Sequence, residues 1–360
     1  MANKKTSNKK GSDKSEKKSP FSSMCELFDD IPSEFVDERP ITYLKTGHPG
    51  FDSLLGGGLP QGKFVEYWGA EGSGKTTICL QQAVYLADCG HPVFYLDYER
   101  GLTQALCQSI PGVMEHIKAR SIIVLKPTTF NEFISLFKKF FLRVPKDMKR
   151  PVVFVDSVVA MQITDFMSID DVESNKPTPD TQARTKLVKV YKNVCDAEQI
   201  TVVWINQRRA NIQMGGPPNS FADKDKATGG TAYKHALDVQ IKLTPGAKFY
   251  NNSTDKIKIG HDVILQCSKN KFRPGFEVYK FPMVWGNGLS LPRYYHNIMK
   301  SHKLVTAARG VYKTKAMGGL GAQSFENRDL FYTWLLDNSD AVFEDLESRG
   351  FVTHVLTESE

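Results

Sequence analysis

An α/β fold built on a mainly parallel central sheet is what this 360-residue sequence predicts, and three features point to it. Short apolar runs alternate with helix-period segments between residues 64 and 205. Those runs are apolar almost throughout, Glu66 in the first being the exception, rather than alternating with polar residues. A glycine-rich turn joins the first of them to the first helical segment. Continuous apolar runs describe strands buried on both faces, and strand–helix alternation describes crossovers that lay helices on those faces.

Taken in order, the candidate strands are residues 64–67, 93–96, 122–125, 152–155 and 202–205. Between them, Leu80, Val84 and Ala87 recur at i, i+4, i+7, and Leu187, Val190, Tyr191 and Val194 at i, i+3, i+4, i+7, so each helix presents one apolar stripe to the sheet. Beyond Thr231 the texture changes to antiparallel candidates at 239–243, 263–267 and 278–284, with residues 245–255 as a turn segment, and these extend the core sheet. From about Tyr294 a second glycine-rich loop (Gly318, Gly319, Gly321) precedes a helical pattern through Phe331, Leu335 and Leu336. The expected organisation is a disordered Lys/Ser-rich tail (1–20), an oligomerisation arm (21–45), a core (46–290) and a small C-terminal α/β domain (291–360).

A hydrophobic fraction of 41% is enough for a sizeable buried core. The absence of any apolar run of about 18 residues, and of an apolar segment near the start, argues against a membrane span or secretory signal, so a soluble cytoplasmic protein is expected. Six cysteines (Cys25, Cys79, Cys89, Cys107, Cys195, Cys267) form no C-x-x-C pair and read as reduced thiols rather than disulfides or zinc ligands. The net charge of +7 is unevenly spread. Residues 1–18 carry seven lysines against Asp13 and Glu16, a net +5, which leaves +2 for the rest. Such an arm can hold phosphates without sequence preference, whereas any nucleic-acid site on the folded part must be a local patch.

The sharpest motif is Gly69-Ala70-Glu71-Gly72-Ser73-Gly74-Lys75-Thr76, followed by Thr77, between the first strand and the first helix. Its glycines let backbone N–H groups converge on phosphates at a helix N-terminus, Lys75 neutralises the terminal phosphates, and the Thr76 hydroxyl suits magnesium. These residues predict ATP and Mg2+ as ligands. Asp156 ends a continuously apolar strand, where ligands of open α/β sheets bind, and matches the carboxylate that organises a magnesium shell; a strand-end cap is the plainer reading. Hydrolysis needs a base or water-orienting group. Glu99, after the strand 93–96, is preferred slightly over Asp97, with a solvated acidic loop as the alternative.

Gln207 ends another strand and opens a polar segment reaching Gly230 that holds Arg208, Arg209, Asn211, Gln213, Lys224 and Lys226 with Gly215, Gly216, Gly229 and Gly230 and one aromatic, Phe221. That composition suits gripping a phosphate backbone more than reading bases, and an amide at its start can report a γ-phosphate to the loop. A merely disordered insertion remains the alternative. The run from Ile163 to Arg184 is more acidic, so nucleic-acid contact there has weaker support. Lys269-Asn270-Lys271 closes an apolar strand with two lysines on one face, which solvated strand-end residues also explain.

These motifs, in this order, resemble the RecA-type recombinases of bacteria and their phages. The resemblance runs from about Thr46 to Asp337 through Gly57-Gly58-Leu59-Pro60-Gln61-Gly62-Lys63, the phosphate loop, Val155-Asp156-Ser157, Ile205-Asn206-Gln207 with Arg209, Thr228-Gly229-Gly230 and Lys269-Asn270-Lys271. It implies a RecA-like ATPase core, with Lys75, Thr76 and Asp156 handling ATP and magnesium, Glu99 as catalytic glutamate and Gln207 as γ-phosphate sensor. It implies that Lys269 and Lys271 act in trans at a neighbouring subunit's ATP, and that the residues around Arg209, Ile212, Gly229 and Gly230 form a second DNA-binding loop and residues 163–184 a first. The section around Gly310 and Tyr312 is similar to the family's C-terminal domain, associated with admitting duplex DNA. The implied function is an ATP-dependent recombinase that forms a homo-oligomeric filament on single-stranded DNA and exchanges it into homologous duplex DNA, with single-strand-binding and loader proteins as possible partners. A ring helicase of the same core and a noncatalytic ATP switch are the competing readings. Two departures stand out: Leu106 occupies the place of an expected aromatic platform for adenine, and the Lys-rich arm is an addition.

Overall fold

The computed structural model describes residues 40–162, 179–210, 225–227, 230–251, 257–273 and 278–352. The tail and most of the arm expected from the sequence lie outside these residues, as do Asn211, Ile212 and Gly229. In chain order the strands are β1 (Tyr43–Leu44), β2 (Leu59–Pro60), β3 (Phe64–Gly69), β4 (Val93–Asp97), β5 (Ile122–Leu125), β6 (Val152–Asp156), β7 (Thr201–Ala210), β8 (Asp225–Ala227), β9 (Val239–Tyr250), β10 (Lys258–Asn270), β11 (Val278–Val284), β12 (Gly288–Leu289), β13 (Val305–Ala308), β14 (Val311–Thr314) and β15 (Ser324–Phe325). The helices used below are α1 (Pro49–Leu55), α2 (Lys75–Asp88), α3 (Gln104–Ser109), α4 (Val113–Ala119), α5 (Phe130–Lys139), α6 (Pro179–Glu198), α7 (Gly230–Ala236), α8 (Leu291–Ser301), α9 (Arg328–Asp337) and α10 (Ser339–Ser348).

The central sheet has the order β12-β11-β10-β9-β3-β7-β6-β4-β5, with β8 pairing β7. Neighbours from β9 across to β5 are parallel. The β9–β10, β10–β11 and β11–β12 pairs are antiparallel. Both faces are covered, as continuous apolar runs require. Alternate residues of one strand feed two cores: Val65, Tyr67, Val203 and Ile205 face α2, whose Ile78, Leu80, Ala83 and Leu86 are buried, while Phe64, Val202 and Trp204 join Phe133 and Phe137 of α5 and Leu187 and Tyr191 of α6. Each such fully buried large side chain contributes about 1.5–3 kcal/mol through loss of apolar surface from water.

Three details differ from the expected pattern. Val190 is exposed, because the buried face of α6 is centred on Leu187, Val188, Tyr191 and Cys195 and Val190 lies more than a quarter turn from that centre. Leu336 is exposed likewise, while Phe331 and Leu335 of α9 are buried. The turn segment 245–255 is in large part strand: β9 continues to Tyr250 and faces β10 in a long hairpin. Pro245, which has no N–H to give a ladder, sits opposite Val263 where the register shifts, so the irregularity accommodates it.

Residues 291–352 carry their own three-stranded antiparallel sheet, β13-β14-β15, with α8, α9 and α10. Met299, Leu304, Phe331, Leu335, Val342 and Leu346 from this section belong to the same buried cluster as α2. Among the described residues no helix is long and apolar enough to cross a membrane.

Candidate phosphate-binding site

The register of the sheet brings the sequence motifs to one edge. Gly69 at the end of β3 lies opposite Gln207 on β7, and Asp97 on β4 lies opposite Asp156 on β6. All four strands run parallel, so their C-terminal ends open on the same side, where α/β sheets bind ligands. Two glycines make the loop between β3 and α2 possible. A Cβ at Gly69 would stand 2.2 Å from the Leu243 carbonyl oxygen, and Gly74 caps α2 with φ at +88°, a left-handed conformation that disfavours side chains.

Lys75 opens α2 and is buried. Its ammonium donates to the carbonyl oxygens of Gly69 (3.1 Å) and Ala70 (2.7 Å) and to Ser73 Oγ (3.3 Å), all neutral groups. Burial pushes its pKa down, and Asp156, Glu99 and Glu71 pull it back. A partly desolvated cation held only by neutral oxygens at a helix N-terminus favours an incoming polyanion.

Thr76 Oγ1 donates to Asp156 Oδ2 at 2.7 Å, and Tyr95 from β4 donates to the same oxygen at 2.9 Å. Burial raises the Asp156 carboxyl to about 6, against the pull of these two hydrogen bonds. One hydroxyl and one carboxylate fit a hard, octahedral cation that keeps waters and takes its other ligands from phosphate oxygens. No group of three or more His, Cys, Asp or Glu among the described residues forms a self-sufficient metal cage.

The two acidic candidates on β4 separate clearly. Asp97 is buried, and its two oxygens accept from the Gly101 N–H (2.9 Å) and the Leu102 N–H (3.1 Å), so it shapes the turn. Glu99 is exposed at the cavity, and its Oε1 accepts from Gln207 Nε2 at 3.0 Å and from the Ser157 hydroxyl. Gly72, Lys75, Thr76, Glu99, Asp156 and Gln207 thus line one cavity of about 230 Å³, with Glu71, Gly74 and Thr77 on its wall. Sequence reasoning missed Tyr95 as a partner of Asp156; its place two residues before Asp97 on a parallel strand is the only signal for it. Leu106, on α3, packs half-buried against the core.

The other predicted residues lie elsewhere. Lys269 Nζ turns onto its own chain and donates to the carbonyls of Lys234, His235 (3.2 Å) and Leu237 (2.7 Å), where α7 ends. Burial and the neighbouring Lys271 charge lower it to about 8. Lys271 Nζ meets Asp238 Oδ1 at 3.1 Å, an oxygen that also takes Lys192. Neither lysine reaches the 230 Å³ cavity of its own chain. Arg208 and Arg209 do not sit in an open loop: β7 carries them away from Gln207, pairing Arg208 with Ala227 and Arg209 with Lys226 of β8. Gly230 is the first residue of α7.

Comparison with known proteins points to one family. The family described as RecA N-terminal domain matches residues 33–290. "Protein RecA" of Laribacter hongkongensis (strain HLHK9) is 26% identical over 307 residues, covering 85% of this chain and 80% of the relative. "Protein RecA" of Sulfurimonas denitrificans is 28% identical over 254 residues (70% and 68%), and that of Azoarcus sp. (strain BH72) 27% over 283 residues (76% and 75%). With a phosphate loop at the end of β3, carboxylates at the ends of β4 and β6, an amide within β7 beside Gly69 and a family match across more than half its length, the chain belongs to the RecA family.

Proposed function

We propose that this chain is a DNA-dependent ATPase that assembles as a helical filament on single-stranded DNA and promotes homologous pairing and strand exchange. One observation carries the reading: Lys75, Thr76, Asp156, Glu99 and Gln207 converge on a single cavity, and Gln207 is the residue where β7 leaves that cavity for the polar segment ending at Gly230. A cavity that binds nucleotide without hydrolysing it needs neither Glu99 nor its bond to Gln207.

Lys75 and the loop N–H groups hold the β- and γ-phosphates of ATP, and Thr76 with Asp156 hold Mg2+. The ion, when bound, neutralises charge that develops on the phosphate oxygens. Glu99 accepts the proton of the attacking water, held in place by Ser157 and Gln207. Gln207 then responds to the γ-phosphate and sets the run containing Arg208, Arg209, Asn211, Ile212, Gly229 and Gly230 against the DNA backbone. In the filament Lys269 and Lys271 exchange their own-chain carbonyls and Asp238 for the neighbour's ATP. Residues 21–45 serve as an oligomerisation arm, and the section from 291 acts as a small domain facing duplex DNA. No covalent bond of DNA changes, and specificity comes from pairing between strands.

The experiment is Lys75→Ala assayed for ATP turnover and for strand exchange between a labelled oligonucleotide and homologous duplex. Both are expected to disappear together. Unchanged turnover would overturn the assignment of the site.

A further inference from the structure

Behind the cavity, a side chain that does not line it holds one that does. Tyr95 is fully buried on β4, and its hydroxyl donates to Oδ2 of Asp156, which forms part of the cavity wall. The register of the sheet explains the reach. Tyr95 lies opposite Phe154 on the parallel strand β6, and the two rings stack with centroids 5.9 Å apart and planes 17° from parallel. Residues two apart on a strand share a face, so Asp156 stands one step nearer the C-terminal edge on the face that carries both rings. The phenol points along that face and closes the remaining distance, with its oxygen 2.9 Å from the carboxylate.

The ring alone would serve the core, since phenylalanine keeps the stack on Phe154 and the apolar surface. The hydroxyl adds something that only Asp156 uses. Thr76 Oγ1 donates to the same Oδ2 at 2.7 Å, so donors from two different elements, α2 and β4, converge on one oxygen. Rotation of the carboxyl group about its Cβ–Cγ bond then breaks both bonds, whereas with Thr76 as sole donor the threonine hydroxyl could turn and follow it. Lys75 does not share this task, because its ammonium donates to the Gly69 and Ala70 carbonyls and to Ser73 Oγ. Among the described residues, the two hydroxyls therefore set the orientation of the carboxylate. Thr76 gains from the same arrangement: with its one hydrogen committed to Asp156, it offers its lone pairs elsewhere, and those are what a hard cation takes as ligand.

We propose that Tyr95 is a positioning residue for Mg2+: from behind the cavity it fixes the Asp156 carboxylate, and through it the Thr76 hydroxyl, in the orientation that takes the ion together with ATP. This rests on the ATP and Mg2+ site proposed above. Hydrogen-bond partners that orient metal ligands govern metal affinity by about 10–100-fold.

The test is Tyr95→Phe in the full chain, read by the binding of a fluorescent ATP analogue as Mg2+ is raised and by the affinity for the same analogue in excess EDTA. The Mg2+ concentration at half-effect is expected to rise about tenfold or more. Affinity in EDTA is expected to stay unchanged, because Tyr95 does not line the cavity, and that result also shows the variant to be folded. An unmoved half-effect concentration overturns the proposal. So does a loss of affinity in EDTA as large as the loss with Mg2+, which is what a tyrosine that merely shapes the cavity produces. A second comparison tests the route. Asp156→Ala removes the acceptor, so adding Tyr95→Phe to that variant is expected to shift the Mg2+ requirement no further; a second shift as large as the first overturns the path through Asp156. Nucleotide binding by the unsubstituted chain that is indifferent to Mg2+ overturns the site reading beneath the proposal, and it is visible before any substitution is made.

Discussion

Replacing Glu99 by Gln isolates the hydrolytic role of this carboxylate with little disturbance to the cavity. The amide keeps the side chain's size, and its carbonyl oxygen still accepts from Gln207 Nε2 and from the Ser157 hydroxyl, the two bonds that orient Glu99 Oε1. Lys75, Thr76 and Asp156 keep their own hydrogen bonds, so ATP affinity is expected to hold. What is lost is the basic oxygen. Asp97 offers no substitute, because both of its oxygens are committed to backbone N–H groups of the turn at Gly101 and Leu102. Removal of a positioned base costs about 10²–10⁴ in rate. That corresponds to roughly 3–5 kcal/mol on the barrier. The assay is steady-state phosphate release at saturating ATP and single-stranded DNA, beside nucleotide affinity measured by fluorescence. The expected result is a kcat lower by about a hundredfold or more with unchanged affinity and slower release of DNA. A kcat within about threefold of the unsubstituted chain would refute the argument and move the base elsewhere.

Asp52 on α1 gives a pH prediction away from the cavity. Burial pushes its carboxyl from 3.8 up to about 6, against the hydrogen bond from the Thr46 N–H at 2.8 Å. The neutral form is the one folding favours, so its contribution is present below the unfolded value and is lost as pH rises through about 6, above which the buried charge costs up to about 3 kcal/mol. Asp52→Asn keeps the acceptor for Thr46 and is expected to raise Tm by several degrees at about pH 8, with the gain fading near pH 4; an equal gain at both pH values contradicts the assignment. For Lys269 and Lys271, a chain carrying Lys269→Ala and Lys271→Ala is expected to be inactive alone and to regain turnover when mixed with the Lys75→Ala chain, because mixed neighbours rebuild whole sites. No recovery on mixing refutes action in trans. Deletion of residues 1–18, which carry a net +5, is expected to lower the slope of log affinity for single-stranded DNA against log salt by up to about 3–4. An unchanged slope means that the arm holds no phosphates.

The sequence displays this site unevenly, for physical reasons. The phosphate loop is legible because cradling a phosphate requires consecutive backbone N–H groups, which forces its residues to be contiguous from Gly69 to Thr76. Asp156, Glu99 and Gln207 are legible because each follows a continuously apolar run, and a parallel sheet brings the ends of such runs to one edge. Partners across the sheet are not legible. Tyr95 and Asp156 are 61 residues apart, and Glu66 and Gln240 are 174 apart, so only the strand order β9-β3-β7-β6-β4 places each pair within reach. Helical period alone also leaves the rotation of a face open, which is why Val190 was expected inside and is exposed. The paired lysines show a further limit: Lys269 and Lys271 are visible as charges on one face, but their engagement with the end of α7 and Asp238 depends on a helix and a hairpin meeting in space.

The central claim is that an ATP site at the end of β3 drives DNA pairing. Its most direct test is one preparation assayed for ATP hydrolysis with and without single-stranded DNA, and then for exchange of a labelled oligonucleotide into homologous and unrelated duplexes. The account predicts hydrolysis stimulated by DNA and exchange that depends on both ATP and homology. Stimulated hydrolysis without exchange would contradict it in favour of a ring-forming motor, and nucleotide binding without hydrolysis would contradict it in favour of a noncatalytic switch.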